Sequence, residues 1–199
     1  LEEVVSLAVQ GGASWVQLRE KDHPTRPFIE EARRLKGILA PLGVPLIIND
    51  RLDVVLAVEA DGIHIGQEDI PYEIARRLLG PEAIIGLSVE TWDDVVQAER
   101  LEVDYLGVSP VFATPTKTDT KEPWGLEGLA RIRSFSRHPL VAIGGINRTN
   151  AAAVALAGAD MVAVVSAVCA AEDPRKAASE LSTVIAAARE HRATRPGRS

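Results

Sequence analysis

Several familiar chemical devices are missing from this chain of 199 residues, and each absence removes a class of function. Cys169 is the only cysteine, so there is no disulfide framework and no paired-cysteine metal site; within residues 166–171 a lone thiol reads as a small buried side chain. Long apolar runs are absent too. The stretch from Met161 to Val165 is typical, far too short to span a bilayer, and no charged start leads into an apolar, cleavable segment. A cytoplasmic protein is the expectation. Basic charge is scarce relative to acidic, with a formal net charge of −6 and a pI near 5.3. No basic stripe carries interleaved aromatics, which argues against nucleic acid as a partner. No Ser-His-Asp or Cys-His arrangement offers a nucleophile, and His64 has no second histidine at metal-binding distance in sequence. His64 reads as a satisfied core histidine.

What is present is apolar and periodic. Hydrophobic residues make up 46% of the chain, enough for one substantial core, and residues 1–189 read as a single domain followed by a disordered basic tail at 190–199. Val4, Val5, Ala8 and Val9 have helical spacing before Gly11-Gly12. A strand at 14–18 then runs into a helical pattern at 25–40 marked by Phe28, Ile29, Ala32, Leu35 and Leu39. Further strands are expected near 44–48, 61–65, 83–88, 103–108, 139–143 and 160–165, each followed by a helical pattern.

An internal rhythm runs through them. Residues 13–18, 60–65, 103–108 and 159–164 share a small or acidic start and an apolar run, about two β-α units apart. Between them lie strands that follow Pro45, Pro81 and Pro139. Strict alternation of strand and helix predicts a parallel sheet covered by helices, either doubly wound or closed. The two alternating strand types and the phosphate signals described below favour an α/β fold of the (β/α)8 TIM-barrel type. Only seven strands can be counted and a helix precedes the first, so the first strand is expected to be missing from this chain.

In such a barrel the loops after the strands carry chemistry. Gln17, Arg19 and Lys21 fall at the end of the first strand, two cations suited to a multiply charged phosphate, or simply a solvated turn. Asn49-Asp50 and Gln67-Glu68-Asp69 end the next two strands, where Asp50 and Asp69 can share one hard cation. Helix capping by Asp50 with Asp53, and by Asp69 before Ile70-Pro71, is the rival reading. Residues 112–124 form a long irregular loop with hydroxyls and two lysines, suited to an anion-binding lid. Gly144-Gly145 and Val164-Val165-Ser166 end the last two strands, where barrels commonly hold a phosphate.

Taken together, QLREK at 17–21, NDR at 49–51, ADGIHIGQED at 60–69, Gly86-Leu87-Ser88 with Thr91, DYLGVSPVFATPTK at 104–117, AIGGI at 142–146 and AVVS at 163–166 resemble the thiamine phosphate synthase family. The resemblance runs in order from residue 1 to about 180. It implies a transferase that joins a pyrimidine diphosphate to a thiazole phosphate with Mg²⁺, acting on small molecules and usually as a homo-oligomer. By position it assigns Gln17, Arg19, Lys21, Asn49, Ser88 and Lys117 to the pyrimidine diphosphate, with Arg19, Lys21, Lys117 and Ser88 in catalysis. Asp50 and Asp69 become metal ligands; Thr114, Thr116, Gly145, Val165 and Ser166 become the thiazole phosphate site. A related thiazole tautomerase is the alternative within this fold, and a non-catalytic phosphate-binding barrel the alternative outside catalysis. Ser109-Pro110, where tautomerases tend to carry a histidine, and the retained Asp69 favour the synthase. No role follows for Glu122 or Trp124.

Overall fold

The computed structural model describes residues 1–20, 24–113 and 122–194. In chain order it contains α1 (Glu2–Gln10), β1 (Val16–Leu18), α2 (Thr25–Leu39), β2 (Leu46–Asn49), α3 (Leu52–Val58), β3 (Gly62–Ile65), α4 (Tyr72–Leu79), β4 (Ile84–Val89) and α5 (Trp92–Ala98). These are followed by β5 (Tyr105–Val108), α6 (Gly125–Phe135), β6 (Leu140–Ile143), α7 (Ala151–Leu156), β7 (Met161–Ala163), α8 (Ser166–Cys169) and α9 (Pro174–Thr194). All strand pairs are parallel, and the spatial order is β1-β2-β3-β4-β5-β6-β7. A doubly wound sheet would reverse its strand order at a switch point. None occurs here, and the interior shows curvature: Trp15, just before β1, meets the ring of Tyr105 on β5 with centroids 5.5 Å apart. The fold is an α/β barrel of the (β/α)8 type with seven described strands.

Burial follows the apolar periodicity. On α2, Phe28, Ala32, Leu35 and Leu39 are fully or almost fully buried, and a side chain such as Phe28 contributes about 2–3 kcal/mol by leaving water. β2 and β3 are buried at every position, as strands covered on both faces must be. Helix α9 packs on α1, α7 and α8, so the helical layer continues from the last strand round to the first.

The internal rhythm has a physical cause at the strand entries. Asp61, Asp104 and Asp160 each accept a hydrogen bond from a backbone N–H within the first two residues of the preceding strand, at Leu46 (2.8 Å), Ile85 (2.8 Å) and Leu140 (2.9 Å). Each also holds a cation from a helix: Lys36 on Asp61 at 2.8 Å, Arg76 on Asp104 at 2.8 Å, and Arg133 on Asp160 at 3.1 Å. The repeated acidic start is therefore a clip that sets strand register at the N-terminal end of the barrel.

Two expectations are corrected. The segment from 190 is not frayed throughout: α9 extends to Thr194. Arg192 anchors it by donating to Ala155 O (2.9 Å), Ala159 O (3.0 Å) and Asp160 (2.7 Å), so a residue that looked like tail polarity is docked. Residues 195–199 lie outside the described residues. Strand β7 stops at Ala163, and Val165 emerges at 59% exposure instead of ending a strand.

Candidate active site at the C-terminal rim

Asn49 closes β2, directly opposite His64 on β3, and is 8% exposed. The next residue, Asp50, donates its backbone N–H to His64 O at 2.9 Å and takes the left-handed conformation at φ 62°. Such a backbone is uncommon outside glycine, though Asp tolerates it, and such residues gather at functional sites. Asp69 folds back onto the end of β3, where its Oδ2 accepts the Gly66 N–H at 2.7 Å. Both carboxylates thus hang from the ends of adjacent strands.

The capping rival loses ground at both. The N-cap position of α3 falls on Arg51 and that of α4 on Pro71, and neither makes a side-chain cap bond. Asp53 is held by the Arg51 guanidinium, at 2.8 and 2.6 Å, and that hydrogen bonding lowers its pKa below the usual carboxylate range. Among the described residues no group of three or more His, Cys, Asp or Glu gathers. Two carboxylates with the remaining positions left to water and ligand oxygens is the donor set that suits Mg²⁺, which is usually held by one or two carboxylates and substrate phosphates. The residues present fit that ion.

Around this pair, Gln17 and Arg19 follow the strand direction of β1 and are exposed. Arg19 makes no hydrogen bond or ion pair among the described residues. Ser88, half-buried near the end of β4, places Oγ 2.8 Å from His64 Nε2, and Gln67 Nε2 donates to its carbonyl at 2.6 Å. Across the rim, Gly145 has φ 65°, and a Cβ there would sit 2.8 Å from Phe112 Cβ and 2.9 Å from Ala113 O. Only glycine lets the turn after β6 approach the loop after β5 so closely. That contact is cemented by Phe112 N–H to Gly144 O, at 3.1 Å, and Asn150 Nδ2 holds Gly145 O at 2.9 Å. Val165 and Ser166, both exposed, follow the neighbouring β7, so the glycine turn and the serine share one sector of the rim. Lys21, Thr114, Thr116 and Lys117 lie outside the described residues.

Some contributors were not legible as such. His64 is 4% exposed with both ring nitrogens bonded, so the core reading holds, yet its partners are Tyr105 and the rim residue Ser88. The available signal was glycine: a Cβ at Gly86 would fall 2.0 Å from the Tyr105 ring, and one at Gly107 would fall 2.7 Å from His64 Cε1. Trp124 also gains a role. Its N–H bonds Pro110 O at 2.9 Å and its indole bonds Val89 O at 3.3 Å, fastening the far end of the long loop to β4.

The fold places the chain among (β/α)8-type barrels, with conspicuous polar side chains at the strand ends. The family model for thiamine monophosphate synthase matches residues 1–168, and the chain belongs to that family. It is 60% identical to the thiamine-phosphate synthase of Albidiferax ferrireducens over 93% of this chain and 84% of the relative. It is 54% identical to that of Vibrio parahaemolyticus, over 93% of this chain and 91% of the relative. Among solved structures, thiamine phosphate pyrophosphorylase from Pyrococcus furiosus superposes with a TM-score of 0.86 at 42% identity, covering 94% of this chain and 89% of that one. A 3-hexulose-6-phosphate synthase, at 17% identity and a TM-score of 0.67, shares the fold alone.

Proposed function

We propose that this protein is a transferase that joins 4-amino-2-methyl-5-(diphosphooxymethyl)pyrimidine to a thiazole phosphate, giving thiamine phosphate and diphosphate. The observation that carries the reading is the pair Asp50 and Asp69 at the ends of adjacent strands, neither at a helix N-cap position, in a chain of this family. The bond between the pyrimidine methylene carbon and the diphosphate oxygen breaks, and its electron pair leaves with the diphosphate. The thiazole nitrogen lone pair then captures the pyrimidine methylene cation. No base is needed at that nitrogen, in keeping with the lack of a nucleophile-and-base pair in the sequence.

Mg²⁺ bound by Asp50 and Asp69 would neutralise charge on the departing diphosphate. Arg19, with Lys21 and Lys117, supplies positive charge for the same leaving group. Gln17, Asn49 and Ser88 orient the pyrimidine diphosphate. Gly145, Val165 and Ser166, with Thr114 and Thr116, hold the thiazole phosphate, glycine permitting backbone N–H groups to approach the anion. Rim residues of this kind address small phosphorylated substrates. No helix among the described residues is long and apolar enough to cross a membrane. We place the chain in the cytoplasm, where its phosphorylated substrates would be found, and allow it to act as a homo-oligomer.

The deciding assay supplies both substrates with Mg²⁺ and follows thiamine phosphate and diphosphate. Stoichiometric release of both is expected. Isomerisation of the thiazole phosphate without coupling would instead establish a tautomerase.

A further inference from the structure

Behind the rim, three polar side chains line up through an otherwise apolar interior. Tyr105 Oη lies 2.9 Å from His64 Nδ1, and His64 Nε2 lies 2.8 Å from Ser88 Oγ. Tyr105 is 3% and His64 4% exposed, whereas Ser88 is half-buried, so the chain of contacts runs from the core outward. Its geometry is enforced on several sides. The two rings stack with centroids 5.5 Å apart, Trp15 closes on Tyr105, and the slots at Gly86 and Gly107 leave no room for a Cβ.

Hydrogen-bond counting gives this chain a direction. Burial pushes the Tyr105 pKa up, so the phenol keeps its proton and must donate it. His64 Nδ1 is the acceptor within hydrogen-bond distance of the phenol Oη, so a phenol that keeps its proton points its O–H at that nitrogen. A neutral imidazole carries one donor and one acceptor. With Nδ1 accepting, the ring proton sits on Nε2 and is donated to Ser88 Oγ. The Ser88 hydroxyl proton is then directed away from His64.

We propose that Tyr105 and His64 are positioning residues that hold Ser88 as a hydrogen-bond donor toward an acceptor atom of the pyrimidine diphosphate at the rim. Neither residue touches the ligand; they act by setting which partner the Ser88 proton serves. The reading of the ligand rests on the synthase proposal, but the direction of the relay does not.

Two measurements test it. In the ¹⁵N-labelled full chain, long-range ¹H–¹⁵N correlation spectra report the tautomer of each histidine directly. His64 is expected as the neutral Nε2–H form; an Nδ1–H form or a doubly protonated ring would overturn the relay. The kinetic arm compares two amides. His64→Gln puts an N–H where Nε2 was and keeps the bond to Ser88, whereas His64→Asn reaches only Tyr105. The Asn variant should lose about tenfold more kcat/KM for the pyrimidine diphosphate than the Gln variant, with equal KM for the thiazole phosphate and similar Tm. Equal losses in both would reduce His64 to a packing role and sink the proposal. Should neither variant fold against Gly107, the spectrum of the unmodified chain still decides. An unmodified chain that makes no thiamine phosphate would defeat the synthase reading while leaving the tautomer result standing.

Discussion

The two ends of the barrel treat charge in opposite ways. At the strand entries, Asp61, Asp104 and Asp160 are each satisfied by a backbone N–H and by Lys36, Arg76 or Arg133, and Arg192 adds a further bond to Asp160. At the strand exits, Arg19 has no protein partner among the described residues, Asp50 is held in a left-handed backbone, and Gly145 occupies a conformation that side chains avoid. Saturated charge fixes register and serves stability. Unsaturated charge and strained backbone cost stability and make sense where a ligand supplies the missing partner. The difference teaches that one repeated β-α unit carries structure at its start and chemistry at its finish.

That division can be broken from either side. The largest effect should come from Asp50→Asn or Asp69→Asn, which keep shape but remove charge. Asn also tolerates the left-handed backbone at position 50, and it still accepts the Gly66 N–H at 69. Turnover with Mg²⁺ should fall at least about 100-fold with Tm almost unchanged, a loss in the range seen when a charge-stabilising group is removed. Unchanged turnover would return both residues to turn-forming roles.

At the opposite end, Asp160→Ala strands the Leu140 N–H and releases Arg133 and Arg192. We expect a loss of about 2 kcal/mol in stability, or about 4–8 °C in Tm by thermal melts, with kcat of the folded enzyme preserved. Loss of kcat at unchanged Tm would overturn the contrast. Gly145→Ala probes the rim's strain. A methyl at φ 65° against Phe112 and Ala113 should cost about 1 kcal/mol and raise KM for the thiazole phosphate several-fold, leaving that for the pyrimidine diphosphate alone.

The smallest effect belongs to an exposed pair on the active side. Hydrogen bonding from Arg51 depresses the Asp53 pKa in the folded state, so its contribution is present above the unfolded value and fades as pH falls through the lower folded one. Asp53→Asn should therefore lower stability only slightly at pH 7, by about a few tenths of a kcal/mol for a solvent-screened pair, and that difference should vanish as pH falls through the depressed folded-state pKa.

Much of this was readable from residue order. Alternating apolar runs placed all seven strands within two or three residues, because a strand buried on both faces has little choice of composition. Sequence motifs also placed Asp50, Asp69, Ser88 and Gly145 at strand ends. Legibility failed where a residue's role depends on a distant partner. Arg192 looked like part of a tail until Ala155 O, Ala159 O and Asp160 gave it three acceptor contacts of a kind local sequence does not encode. Trp124 and Tyr105 had no role until Val89 O and His64 came within reach.

By itself, then, the sequence determined the alternation of elements, the parallel sheet and the residue types at each strand exit, since these follow from local periodicity and chain connectivity. Only the tertiary structure decided that strand-entry aspartates clip their neighbours and that His64 joins a core tyrosine to a rim serine. Those contacts span tens of residues and exist only once the sheet has curled, because curvature is what brings β1, β3 and β5 to face one another across the interior.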